Sequence, residues 1–170
     1  MRFRRQSGFT IMELVIVLLI MGILAAVAAP RYLEATSRYR VNAAARRIVA
    51  DLDHVRGRAM MKGPVQEEWV SFYAATENYQ MHDDPDPDHP SREYWVDLSQ
   101  TAYPVDLVSV SFKNTVLVTN NQTIKFDMYG HPKTGSSPMA PLIAGSIVVA
   151  SGNETRTVII DPVTGKASIQ

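Results

Sequence analysis

Residues 8–14 read Gly-Phe-Thr-Ile-Met-Glu-Leu and join a short basic leader to a long apolar run. The run extends from Phe9 to Ala29, 21 residues, which is about the length that crosses a bilayer as a helix. Glu13 is the only charged residue in it. A charge inside a membrane costs roughly 2.5 to 3.5 kcal/mol on insertion scales. We therefore expect Glu13 to have a partner or a function.

The leader contains three arginines directly before the apolar run, at positions 2, 4 and 5. The positive-inside rule places this basic flank in the cytoplasm. An alternative is a secretory signal peptide, cut near the small residues Ala26-Val27-Ala28. Glu13 and the amphipathic pattern that continues beyond Ala29 argue against that alternative.

Residues 4–14, Arg-Arg-Gln-Ser-Gly-Phe-Thr-Ile-Met-Glu-Leu, resemble the class III signal of type IV pilins and pseudopilins. The resemblance implies that prepilin peptidase cuts after Gly8 and methylates Phe9, and that the apolar segment is retained. It also implies that Glu13 faces the N-terminal amine of a neighbouring subunit, so that the pair sets register during assembly. The alternative for Glu13 is a carboxylate that snorkels to the nearby interface.

Four segments are expected: a prepilin leader peptide (1–8), a transmembrane and filament-core helix (9–29), an amphipathic helix (30–62) and a β-rich periplasmic globular domain (63–170). Pro30 predicts a kink, because proline lacks an N–H and fixes φ. Gly63-Pro64 predicts the end of the helix. The predicted apolar stripe is Val41, Ala45, Ile48, Leu52, Val55 and Ala59, and the predicted solvated side is Arg40, Arg46, Arg47, Asp51 and Arg58.

Beyond Pro64 the pattern changes from helical to alternating, which predicts half-buried strands. Strands are expected at 69–73, 94–98, 108–112, 124–128, 146–150, 155–160 and 167–169, with turns at Ser151-Gly-Asn-Glu154 and Asp161-Pro-Val-Thr-Gly165. The predicted fold class is α+β, with a long kinked N-terminal helix packed on an antiparallel sheet, as in pilins.

The C-terminal third resembles the GspH/FimT family of minor pseudopilins and minor pilins. The resemblance lies in Ile-Lys-Phe-Asp-Met-Tyr-Gly at 124–130, an Ile-Val-Val strand, Val158-Ile-Ile and Thr164-Gly-Lys166. It implies a structural subunit of a type II secretion pseudopilus or a type IV pilus-like filament. The implied partners are prepilin peptidase, other pseudopilin or pilin subunits and an inner-membrane assembly platform. The implied location is the bacterial inner membrane, single-pass, with the C-terminal domain in the periplasm.

No motif for catalysis, a cofactor or a metal is recognised in the sequence, and there are no cysteines, so we expect the chain not to be an enzyme. His54 and His131 are interpreted as structural. Residues 82–89 concentrate four aspartates and two histidines, and a solvated loop is the expected structure. Calcium binding by that loop is the alternative.

Nucleic-acid binding is weakly supported. After removal of the leader, 14 Lys and Arg remain against 17 Asp and Glu, a net charge of −3. One branch of the resembled family binds DNA through a basic C-terminal glycine-arginine element, whereas this chain has Gly165-Lys166, a single cation. A DNA-binding minor pilin in natural transformation is therefore one alternative function, and a membrane-anchored module that never assembles is another.

Overall fold

The computed structural model describes residues 9–63, 68–86, 89–100, 104–116, 122–135 and 139–170. The chain divides into two compact units, Met1–Thr36 and Ser37–Gln170. Helix α1 spans Ile11–Lys62 without interruption and supplies residues to both units. It ends where the glycine–proline pair predicts, since Gly63 follows with φ +75°.

The second unit is α+β, as predicted: the C-terminal half of α1 is followed by strands that all pair antiparallel. A 3-10 turn, Ala74–Thr76, joins the first two strands. The strands are β1 (Glu68–Tyr73), β2 (Asn78–Pro85), β3 (Glu93–Asp97), β4 (Asp106–Asn114), β5 (Thr123–Phe126), β6 (Pro132–Thr134), β7 (Ala140–Ser151), β8 (Glu154–Ile160) and β9 (Ala167–Ile169). Their order in the sheet is β3-β2-β1-β5-β6-β7-β8-β9, with β4 paired to β7.

The apolar stripe of α1 is confirmed. Each of its six predicted residues is buried, and Ala44 joins them. The stripe belongs to a core that includes Phe72, Phe112, Phe126 and Ile147 from the sheet. Fully burying one large apolar side chain stabilises a fold by roughly 1.5–3 kcal/mol, so this contact anchors the sheet on residues 41–59 of the helix.

The predicted solvated side of α1 is wrong for two of its members. Asp51 and Arg58 expose only 20% and 16% of their side chains, because strand β2 lies against that side of the helix. Strand β2 itself was not predicted, since its second half reads His-Asp-Asp-Pro and lacks an apolar alternation. The position of β2 turns part of the polar side of α1 into a second contact with the sheet.

One predicted strand ends earlier than expected, and one further strand was not predicted. Strand β5 ends at Phe126 and does not reach Met128, because Asp127 starts a turn in which its carboxylate accepts the N–H groups of Tyr129 and His131. Strand β6 was not predicted because it has three residues and begins with proline. The hairpin turn at Ser151–Glu154 is confirmed, with Gly152 at φ +59°.

Candidate functional site

Thr10 caps the N-terminus of α1. The N–H of Glu13 donates to Thr10 Oγ1 at 3.2 Å, and the N–H of Leu14 donates to the Thr10 carbonyl at 3.2 Å. Thr10 is thus the N-cap residue, and Glu13 lies in the first turn, where the helix dipole favours a carboxylate. This cap was not predicted from the sequence, although Thr-x-x-Glu is the spacing of a capping box.

Glu13 is far from any other charge on the described part of its own helix. The first cation after it is Arg31, 18 residues further on, which is about 27 Å at the helical rise of 1.5 Å per residue. A positive partner for Glu13 must therefore come from the leader, from a new amine at Phe9, or from another molecule. Gly8 lies outside the described residues, and Phe9 is exposed.

The apolar segment after Glu13 is unburied within its unit. Every residue from Phe9 to Ala35 is exposed, Ile16 and Leu18 by 47% and 60%. An 18-residue window of α1 has a mean hydropathy of 2.8, so the helix is long and apolar enough to cross a membrane. An apolar helix whose described residues are unburied within their unit requires lipid or other helices around it.

Pro30 lies inside α1, and the chain is helical on both sides of it. A proline there removes one backbone hydrogen bond and crowds the preceding turn. The predicted kink at Pro30 remains a prediction, whereas the predicted continuation of the helix to residue 62 is confirmed.

A polar network fixes the sheet on α1 next to the apolar stripe. The buried hydroxyl of Tyr79 donates to Asp51, and Arg47 donates to the hydroxyl of Tyr94 at 2.8 Å. Burial raises the pKa of Asp51, although the bond from Tyr79 and the charge of Arg47 oppose that shift. Burial, followed by the charge of Asp51, raises the pKa of Tyr79 well above its ordinary value. The network therefore holds the tyrosine as a neutral donor.

Arg58 binds the far end of the same face. Its guanidinium contacts the Asp84 carboxylate, donates to the carbonyl of Asp83 at 2.6 Å, and lies 3.6 Å from the fully buried Glu68. Lys62 forms a further ion pair with Glu68. Since a buried carboxylate is stable only when its charge is balanced, Arg58 and Lys62 explain how Glu68 is accommodated.

The prediction of a solvated loop at 82–89 is wrong for residues 82–85, whereas Asp86 and the exposed His89 lie outside the strands. Residues 82–85 belong to β2, and Asp84 contacts both Arg58 and His54, the latter at 3.0 Å. Within the part of the chain that the structure describes, which excludes positions 87 and 88, no group of three His, Cys, Asp or Glu residues could hold a metal ion. Asp84 therefore helps to bind strand β2 to helix α1 through its contacts with Arg58 and His54.

The two turns of the C-terminal pattern pack on each other. Gly165 has φ +69°, and a side chain there would overlap the carbonyl oxygen of Gly130. In the later turn, hydrogen bonds from the N–H and hydroxyl of Thr164 lower the pKa of Asp161. Gly165-Lys166 is therefore a packing element in which glycine is sterically required. His131 is exposed and lies 3.9 Å from Asp127.

The comparisons with known proteins agree with the N-terminal site. The prokaryotic N-terminal methylation motif matches residues 3–29. The comparison with curated proteins found no match, and neither did the comparison with solved structures. The methylation motif, together with a membrane-capable helix and an α+β domain, supports a type IV pilin-like, membrane-anchored protein that assembles with other pilin subunits.

Proposed function

We propose that this chain is a minor pseudopilin or minor pilin of the GspH/FimT type, and not an enzyme. It is made as a prepilin, cut after Gly8 by prepilin peptidase and methylated on Phe9. It is held in the bacterial inner membrane as a single-pass protein with its C-terminal domain in the periplasm. The observation that carries the proposal is the methylation motif at residues 3–29, placed on an apolar helix that buries nothing within its unit.

Assembly follows from the state of the N-terminal helix. In lipid, the exposed apolar side chains of this helix are in a favourable environment. The charge of Glu13 is not balanced there, because Arg31, the first cation after it on the helix, is too far away to pair with it. Cleavage after Gly8 creates a positive amine at Phe9 on every subunit. Pairing of Glu13 with the amine of a neighbouring subunit offsets the burial of both charges only at one relative height, and so it fixes the register of the filament.

The C-terminal pattern supports the subfamily. Its two glycine turns, at Gly130 and Gly165, contact each other. This contact explains the glycine at position 165 and links the two turns of the pattern. The periplasmic domain would face outward from the filament and meet neighbouring subunits or secreted cargo. The assembly platform in the inner membrane is the partner that adds the subunit to the filament.

Replacement of Glu13 by glutamine tests the assembly role. We expect Glu13→Gln to insert into the membrane and to be processed normally, but to be lost from sheared filaments or from crosslinked pilin pairs. Glu34→Gln is the matched control, since Glu34 lies on the same helix beyond the apolar run and should leave incorporation unchanged. Normal incorporation of Glu13→Gln would contradict the register role of Glu13, whereas absence of the wild-type chain from filaments and crosslinked pilin pairs would support the non-assembling module.

Salt-dependent binding of duplex DNA by the full chain in detergent would support the DNA-binding alternative. Binding that uses several phosphates falls steeply with salt, and the single cation at Lys166 supplies little of it. We expect no measurable affinity at low salt.

A further inference from the structure

Three strands carry a chain of polar side chains on the face of the sheet that points away from the core. Ser71 on β1 lies between the core residues Val70 and Phe72, so its side chain points outward. Its Oγ is 3.2 Å from Nε2 of His82 on β2. The Nδ1 of His82 is 3.4 Å from a carboxylate oxygen of Glu93 on β3. A hydroxyl, an imidazole and a carboxylate are thus in sequential contact.

The direction of the hydrogen bonds follows from the groups at the two ends. A carboxylate can only accept, so the neutral His82 tautomer that suits a contact with Glu93 is the one with its proton on Nδ1. His82 Nε2 is then an acceptor for the Ser71 hydroxyl. Thr123 Oγ1 lies 3.1 Å from Ser71 Oγ on the other side and can donate to it. The chain therefore runs from Thr123 through Ser71 and His82 to Glu93.

Neighbouring side chains hold this arrangement. The ring of His82 stacks on Trp69, with centroids 4.8 Å apart and planes inclined by 25°. Glu93 also accepts a hydrogen bond from Gln80. The imidazole is therefore fixed on one face by an aromatic ring and at Nδ1 by a carboxylate that is itself held.

We propose that Ser71 is an activated nucleophile, with His82 as its general base and Glu93 as the positioning residue. A hydroxyl in contact with a base that is oriented by a third group is the arrangement that activates serine in acyl transfer. In the reaction, Ser71 Oγ attacks the carbonyl carbon of an ester while its proton passes to His82 Nε2. The C–O bond of the ester then breaks, and the leaving alkoxide takes that proton from His82.

The product is an ester of Ser71, formed once per subunit, together with the free alcohol. Thr123 Oγ1 contacts Ser71 Oγ, which is the attacking oxygen, so Thr123 helps to position the nucleophile. The oxyanion forms on the carbonyl oxygen of the ester, which Thr123 is not shown to reach. Ser71 is 7% exposed, which restricts the reagent to small esters. The site is thus an acyl-acceptor serine rather than a turnover enzyme, and the inference is independent of filament assembly.

Labelling of the full chain in detergent with p-nitrophenyl acetate, read by intact and peptide mass spectrometry, tests the proposal. We expect one acetyl group on Ser71 at neutral pH and none on Ser71→Ala. His82→Gln should lower the labelling rate at Ser71 about 100-fold, the lower end of the range for general-base catalysis.

Ser109→Ala is the matched control, because Ser109 is an exposed serine on β4 outside this chain of contacts. It should leave the acetylation of Ser71 unchanged. Acetylation of Ser71 no faster than that of Ser109, or an unchanged rate in folded His82→Gln, would overturn the proposal. Thr123→Val, which retains the β-branched shape, provides a second test: it should lower the rate at Ser71, and an unchanged rate would count against a positioning role of Thr123.

Discussion

The two halves of α1 have the same secondary structure and opposite surroundings. Residues 11–35 are exposed although almost all of them are apolar, whereas residues 41–59 bury a stripe against the sheet and use polar groups beside it. The difference shows that helical continuity does not imply a common source of stability. The first half depends on lipid or on other subunits, and the second half depends on the core of its own domain.

The largest difference between the two halves should appear when one isoleucine in each is replaced by alanine. Ile48→Ala removes a fully buried side chain and should lower the free energy of unfolding of the globular unit by about 2–5 kcal/mol. Ile16→Ala is the matched control, because Ile16 is 47% exposed, and we expect a change within about 0.5 kcal/mol. Urea unfolding of the full chain in detergent measures both. Equal losses would abolish the distinction between the halves.

Alanine at Gly165 should cost more than alanine at Gly152. Both glycines have positive φ, so both variants lose roughly 1–2 kcal/mol to the left-handed conformation. At Gly165 the new methyl group would also overlap the Gly130 carbonyl, whereas at Gly152 it meets only the Ser37 side chain at 3.3 Å. We expect an additional loss of about 1–3 kcal/mol for Gly165→Ala. Thermal unfolding would contradict this if the two variants had equal midpoints.

The polar contact between α1 and β2 should contribute less than the core. Asp51→Ala leaves the buried Tyr79 hydroxyl without its acceptor, which costs about 1–3 kcal/mol. Asp51→Asn retains an acceptor oxygen and should cost less. Asp53→Ala, on the same helix, is the matched control for the loss of an aspartate. The order of unfolding midpoints checks the account, and it is contradicted if Asp51→Ala matches Asp53→Ala.

The smallest effect should be a difference in acid response between two aspartates. Burial raises the pKa of Asp51, so its contribution to stability is fully present below the unfolded value of about 3.9 and is lost as pH rises through the folded pKa. Hydrogen bonds from Thr164 lower the pKa of Asp161, so its contribution is present above the unfolded value and is lost as pH falls through the folded pKa.

Unfolding midpoints between pH 6 and pH 3 separate the two carboxyl groups. Relative to the wild type, Asp161→Asn should flatten the loss of stability at low pH, and Asp51→Asn should steepen it. The opposite pattern would show that the hydrogen bonds of Asp161 do not persist in solution or that Asp51 is hydrated.

Periodicity was enough to predict the apolar stripe of α1 and several of the strands. Val41, Ile48 and Val55 recur at helical spacing, and Val110 and Phe112 alternate with Ser111, because one face of each element is buried and the other is not. Strand β2 could not be found in this way, because the groups that hold it are Tyr79, Asp84 and their partners on α1. Such partners are distant in sequence and are brought together only by the fold.

The candidate site divides in the same way. The membrane segment and the anomalous Glu13 are local features, and the matched methylation motif lies over them. The Thr10 cap was also readable from its spacing to Glu13. The contact between Ser71, His82 and Glu93 could not be predicted from the sequence. Each residue comes from a different strand, and only the register of the sheet aligns them.

The mass of the mature N-terminus tests the central claim most directly. We expect the chain purified from cells with an active prepilin peptidase to begin at Phe9 and to carry one methyl group on its amine. A variant with a bulky residue in place of Gly8 should remain full length. A chain that begins at Met1 would contradict the account, because Phe9 would then have no free amine to pair with Glu13. A chain that is cut near Ala28 would also contradict it, because the mature protein would lack the filament-core helix.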